Sequence, residues 1–141
     1  MASINFHMMQ SNFSLRDRTR LKKFIVQIFK KEGKALESLD YIFCSDDYLL
    51  QINRQFLNHD FYTDIITFDL SSKSRQTIGE IYISIDRVKD NAKNLNVRFQ
   101  EELHRVIFHG VLHLCGYKDK LKPDIKIMRE MENRYLAKYL D

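Results

Sequence analysis

The sequence predicts an α+β fold, a single domain over residues 1–141 in which about four strands form a mixed sheet and about five helices pack around it. Hydrophobic residues make up 44% and charged residues 30% of the chain, as in an ordinary globular domain. One proline and four glycines are too few for a linker between domains. Alternating, strand-like stretches are confined to residues 2–84, whereas the apolar period is helical from there onward.

The start of the chain predicts one strand and one helix. Residues 2–7 alternate weakly between apolar and polar side chains, as in a strand. Ser14 with Asp17 resembles a capping box, and we expect the amphipathic helix after it to run to about Glu32. Gly33 then ends that helix.

Three more strands and a short helix are expected in the next fifty residues or so. Alternation over residues 38–44 predicts the second strand, and Asp46 is the expected cap of a helix that runs to about Leu57. Residues 65–68 are β-branched or aromatic, which suits a third strand. Residues 79–84 suit a fourth, with alternate side chains facing one way.

Helices fill the rest of the chain. From Ile85 the apolar period is that of a helix, and Pro123 stands where the first turn of a last helix is expected. The positions that trace the three helices are Val88 and Ala92, then Leu103, Val106, Ile107, Val111 and Leu114, and finally Ile127, Met131, Tyr135 and Leu136.

Charge and cysteine content narrow the functional classes. The 23 Lys and Arg against 19 Asp and Glu give a net charge of +4, which mildly favours an anionic partner. No apolar run is long enough for a membrane span, and the first thirty residues lack the core of a signal peptide. Cys44 and Cys115 are too few for a disulfide framework, so we expect a cytoplasmic protein. Cys115 is expected to be a buried residue rather than a ligand.

The segment at residues 109–119 carries the chemistry. His109 and His113 stand four apart in a helical stretch, so both imidazoles project from one face. Gly116 can end the helix and let the chain double back, which brings Asp119 to the same side. Two imidazoles and a carboxylate with one position left open predict a catalytic site for one Zn²⁺ per chain, on a central helix and the turn after it. The alternative is a helix whose two histidines are simply satisfied in the core.

Gly110 separates this segment from the zinc peptidases of similar spacing, the metzincins, which have glutamate after the first histidine. That glutamate is the general base of peptide hydrolysis, and glycine cannot replace it. Peptide hydrolysis is therefore disfavoured, whereas phosphodiester hydrolysis does not require a dedicated base. We expect Gly110 to leave open space beside the metal for a substrate.

With these residues the chain resembles the YbeY family of bacterial metal-dependent endoribonucleases. The family signature His-Gly-x-Leu-His-Leu-x-Gly-Tyr-Asp-His matches residues 109–117 without a gap, and residues 63–68 and 79–84 match looser blocks. The resemblance covers about residues 48–135. It implies a hydrolase specific for single-stranded RNA, acting in maturation of the 3′ end of small-subunit ribosomal RNA and in ribosome quality control.

Two positions depart from the family pattern. The third histidine of the family falls at Asp119, which we take as the third ligand; it could instead be a displaced form of the family's preceding aspartate, leaving two protein ligands. A family arginine aligns with Leu57, which cannot clamp a phosphate. Arg54, on the same helix face, is a hypothetical replacement, with a solvated arginine as the alternative. Arg75 and Arg105 are other candidates.

The resemblance also implies partners. We expect a ribosomal RNA precursor and the small ribosomal subunit or its assembly proteins, with no membrane and no DNA. His59 and Asp60 lie in a loop and could reach RNA, although polar residues are usual in loops. Two other functions remain open: a non-catalytic ribosome-assembly factor with a structural zinc, and a zinc peptidase.

Overall fold

The computed structural model describes residues 2–10, 13–71 and 76–140, and over these the chain forms four strands and five helices. The strands are β1 (Ser3–Met8), β2 (Ala35–Cys44), β3 (Ile65–Asp69) and β4 (Gln76–Ser84). The helices are α1 (Arg18–Lys31), α2 (Asp46–Leu57), α3 (Ile85–Leu95), α4 (Phe99–Leu114) and α5 (Lys122–Leu140). The predicted α+β architecture is confirmed, with several strands longer than the alternation indicated.

The sheet is mixed, with the strand order β1-β2-β4-β3. β1 pairs with β2 and β2 with β4 in parallel, and α1 is the crossover that the first parallel pair requires. β3 pairs with β4 antiparallel, so that Thr67 lies opposite Ile81. Among the helices of the described residues, none is long and apolar enough to cross a membrane.

α4 is the central helix of the fold. It packs against α3, α5 and the β3–β4 side of the sheet, and the hydroxyl of Tyr41 on β2 donates a hydrogen bond to the carbonyl of Ile107 at 3.0 Å. Its buried residues are Glu102, Leu103, His104, Val106, Ile107, Phe108, Gly110, Val111, Leu112 and Leu114. A helix enclosed in this way places its few polar side chains firmly, because the backbone cannot shift without repacking the core.

Gly110 lies against the sheet and does not open space beside the metal, so that expectation was wrong. A Cβ built on Gly110 would lie 2.6 Å from Cδ1 of Ile81 and 3.2 Å from Cδ1 of Ile65. The glycine therefore lets α4 approach β3 and β4 closely, so the absence of its side chain serves packing against the sheet.

Two predicted helix caps differ from those observed. Asp17 precedes α1 in a left-handed conformation, with φ of 53°, and its side chain makes no capping hydrogen bond, so Ser14 and Asp17 form no capping box. Ser45, rather than Asp46, caps α2 by accepting a hydrogen bond from the amide of Tyr48 at 3.1 Å. The ends at Gly33 and the start near Pro123 agree with the sequence pattern.

Candidate metal centre

His109 and His113 occupy successive turns at the C-terminal end of α4, on its one face that is not covered by the core. Their ring centroids lie 4.6 Å apart with the ring planes nearly perpendicular, at 82°. Both side chains are partly exposed, at 19% and 29%, whereas most of α4 around them is buried. The two imidazoles thus face a common space that solvent can enter.

The end of α4 brings the third residue to them. The amide of Tyr117 donates to the carbonyl of Leu112 and the amide of Gly116 to that of His113, both at 3.0 Å, which is the Schellman pattern of a helix C-terminus. Gly116 takes the positive φ, 104°, that this turn requires. The chain then doubles back, and Oδ2 of Asp119 lies 3.2 Å from Nε2 of each histidine.

The other nitrogen of each ring is held by an acceptor. Nδ1 of His109 donates to Oε2 of Glu132 at 2.6 Å, and Nδ1 of His113 donates to the carbonyl oxygen of Tyr117 at 2.9 Å. A carboxylate and a carbonyl only accept, so in neutral imidazole the proton sits on Nδ1 and the lone pair on Nε2 points toward Asp119. This is the orientation that metal-binding histidines adopt.

The three residues fit a divalent metal. One ligand atom from each of His109, His113 and Asp119 lies within 4.8 Å of the other two. Ligands about 2.0–2.2 Å from a tetrahedral Zn²⁺ are about 3.3–3.6 Å apart, close to the spacing found. Cys115 is buried, as expected, and is not among the residues whose ligand atoms converge.

Glu132 on α5 belongs to the centre, although the sequence analysis assigned it no role there. Its side chain is 6% exposed. Oε1 of Glu132 also accepts a hydrogen bond from Arg105 at 3.2 Å and forms an ion pair with Arg129 at 3.4 Å. Burial raises the pKa of Glu132, but the hydrogen bond from His109 and the two arginines outweigh it, so the pKa lies below its usual value. The sequence did carry a signal, because this carboxylate stands at helical spacing among apolar residues, and the structure buries all of them: Met128, Glu132, Tyr135, Leu136 and Tyr139.

Burial and the neighbouring carboxylates shift the pKa of His109 in opposite directions. Burial lowers it, whereas the hydrogen bond to Glu132 and the neighbouring carboxylates raise it, and the net direction is upward. The raised pKa reflects a strongly negative surrounding, which also favours a bound cation.

The triad opens into a cleft of about 750 Å³. Burial raises the pKa values of Asp64 and Glu102, two further acids that line it. Cations reach the cleft as well: Arg105, Lys120 and Arg129 are among its lining residues. The lining of the cleft therefore contains both acidic side chains near the two histidines and basic side chains.

The arginine candidates lie in different places. Leu57 and Arg105 both line the cleft. Leu57 stands at the position where the resemblance implies an arginine. Arg54 is outside the lining and forms an exposed ion pair with Asp60. Arg75 lies outside the described residues.

The family model and two similar named relatives point to one family. Residues 4–140 match the family described as Endoribonuclease YbeY. Proteins named Endoribonuclease YbeY from Cytophaga hutchinsonii and Porphyromonas gingivalis are 49% and 46% identical, covering 96% and 97% of this chain and 94% and 90% of their own length. The solution structure of TM1509 from Thermotoga maritima is 30% identical, with a TM-score of 0.65 over 99% of this chain and 89% of that one.

Proposed function

The chain belongs to the YbeY family of endoribonucleases, and we propose that it is a metal-dependent endoribonuclease that cleaves single-stranded RNA in ribosomal RNA maturation. The observation that carries the proposal is the convergence of Nε2 of both histidines and Oδ2 of Asp119, with each Nδ1 held by its own acceptor. Such a set of three protein ligands leaves one position for water or substrate.

Zn²⁺ is the proposed metal, one per chain, held by His109, His113 and Asp119; when bound, it would polarise a phosphodiester oxygen and supply hydroxide near neutral pH. Glu132 and the carbonyl of Tyr117 keep the two imidazoles in the ligand orientation. Asp119, whose side chain is 36% exposed, supplies the third ligand from the turn after α4.

Phosphate recognition is assigned to the basic side chains of the cleft. Arg129 is 58% exposed and Lys120 lines the same cleft, so both can approach a substrate phosphate. Arg105 is more buried and is held by Glu132 and Asn133. The substrate is proposed to be the 3′ end of a small-subunit ribosomal RNA precursor, met in the cytoplasm on the small subunit or with its assembly proteins.

The metal content of the chain tests this proposal directly. Untagged wild-type protein should carry one zinc per chain by elemental mass spectrometry and cut single-stranded RNA in preference to duplex. Asp119→Ala should lose most of both properties, because two imidazoles alone bind zinc weakly. Asp124→Ala, an acidic residue outside the triad, is the matched control. Wild-type protein that takes up no metal from a zinc-containing buffer would overturn the proposal.

Arg54 remains a proposed phosphate clamp. If it meets a phosphate, Arg54→Ala should lower RNA cleavage about 10-fold or more, the usual loss for a charge-assisted hydrogen bond. Asp60→Asn, which frees the guanidinium from its ion pair, should not lower cleavage. Full cleavage and binding by Arg54→Ala would remove this role.

A further inference from the structure

Two aromatic rings stack on each other in the loop after α2. The rings of His59 and Phe61 have centroids 5.1 Å apart and planes inclined by 22°. Phe61 is nevertheless 55% exposed, and His59 is exposed as well. The pair therefore presents aromatic surface to solvent, with no other described ring in contact with it.

The loop that carries the pair is anchored at the backbone of both residues. The side-chain amide of Asn53 donates to the carbonyl of Phe61 at 2.9 Å, and the amide of His59 donates to the carbonyl of Asn53 at 3.2 Å. Asn53 is 1% exposed, so a buried polar group is committed to holding this loop. A platform held in this way loses little conformational entropy when a ligand stacks on it.

The pair shares its cleft with the metal centre. His59, Phe61 and Leu57 line the same space of about 750 Å³ as the triad, together with Lys120 and Arg129. An apolar aromatic wall, cations and a metal centre in one cleft match the parts of a single nucleotide unit: base, phosphate and scissile bond. Pockets of about 300–1,000 Å³ accommodate ligands of this size.

We infer that the stacked rings of His59 and Phe61 form a platform for a nucleobase of single-stranded RNA, next to the bond that is cut. This inference rests on the proposed function. Every base has a π-face, so such a platform binds without reading sequence. Paired bases are already stacked within a duplex and cannot reach it, which makes the platform a structural source of preference for unpaired RNA.

Leu57 fits the same assignment. It lines the cleft beside the ring pair, at the position where the resemblance places an arginine. An aliphatic side chain extends the apolar wall for a base, whereas an arginine would present charge there. The departure at Leu57 therefore removes a phosphate-binding charge from this end of the cleft and leaves an apolar side chain beside the base.

The test uses the zinc-loaded full chain and an oligouridylate that contains one 2-aminopurine, whose fluorescence falls when it stacks. Mixing in a stopped-flow instrument records binding before cleavage. Wild type should quench the probe, whereas Phe61→Leu, which keeps an apolar side chain without a ring, should lose the quench and bind about 5- to 100-fold more weakly. Phe61→Tyr should restore both.

Phe56 provides the matched control. It is 60% exposed, packs edge-on against Phe68 with centroids 5.9 Å apart, and does not line the cleft. Phe56→Leu should bind and quench as wild type does. Unchanged affinity and quench in Phe61→Leu would overturn the inference, as would an equal loss in Phe56→Leu.

Cleavage of the same RNA separates this inference from the proposed function. In one outcome, wild type quenches the 2-aminopurine fluorescence, Phe61→Leu does not, and neither protein cuts RNA. The platform is then supported and the nuclease proposal fails. If wild type cuts RNA and Phe61→Leu has the same KM and the same quench, the nuclease proposal stands and the platform fails.

Discussion

At the scale of single residues, one hydrogen bond connects the metal centre to the last helix. Glu132 holds Nδ1 of His109 at 2.6 Å and is itself held by Arg105 and Arg129. A carboxylate in this position fixes the ring orientation and increases the basicity of the nitrogen that faces the metal. We therefore propose that Glu132 acts on a bound metal through His109, as a positioning residue.

Replacing Glu132 with glutamine tests this role. Glu132→Gln keeps the volume and one acceptor oxygen but loses the charge, so the affinity for zinc should fall about 10- to 100-fold. A competitive zinc titration measures the affinity, and unfolding in urea shows whether the fold is kept. Glu130→Gln, on the exposed side of the same helix, should bind zinc as wild type does. Equal zinc affinity of Glu132→Gln and wild type would contradict the assignment.

At the scale of elements, the position of α4 on the sheet decides where the histidines point. The two histidines are partly exposed, while Gly110 between them meets Ile81 and Ile65 of the sheet. Close approach at Gly110 sets the distance between the helix and β4. The proposed metal centre thus depends on a glycine that is not one of its ligands.

Gly110→Ala should destabilise the protein despite alanine's higher helix propensity. The added Cβ would lie 2.6 Å from Cδ1 of Ile81, a residue with no exposed surface. Overpacking of a core costs about 1–3 kcal/mol, and the gain in propensity offsets about 1 kcal/mol. We expect a net loss of about 1 kcal/mol in the free energy of unfolding, measured by urea denaturation.

A double-mutant cycle identifies the cause. Ile81→Val removes Cδ1, so the double variant Gly110→Ala/Ile81→Val should be more stable than the sum of the two single changes allows. Strict additivity would show that the strain lies elsewhere in the contact between α4 and the sheet.

At the scale of the whole molecule, the metal is expected to add stability without being needed for folding. The three proposed ligands lie within residues 109–119, so a bound ion closes only a short loop and joins no distant segments. The main core, built from the sheet, α1, α3, α4 and α5, is assembled from apolar side chains and includes none of the three proposed ligands.

Metal removal by a chelator tests this expectation. The metal-free protein should keep its far- and near-ultraviolet circular dichroism, and its Tm should lie about 10 °C below that of protein with zinc at about 100 times Kd. Loss of the fold on chelation would instead favour a structural zinc and the ribosome-assembly alternative.

The local sequence pattern predicted much of the fold and the outline of the site. Periods of two and 3.6 residues predicted four strands and five helices, and the spacing of His109, His113, Gly116 and Asp119 predicted three candidate ligands on one side of a turn. These features depend on residues close together in the chain, where helix geometry and the glycine turn dictate the side-chain directions.

Only the tertiary structure decided the partners of those residues. Glu132 meets His109 because α5 packs beside α4, and Gly110 meets Ile81 because the helix lies on the sheet. The order β1-β2-β4-β3 and the placement of Arg54 outside the cleft likewise follow from packing. Local periodicity specifies which face of an element is apolar, but the contact between two faces distant in sequence is set by the shape and volume of the whole core.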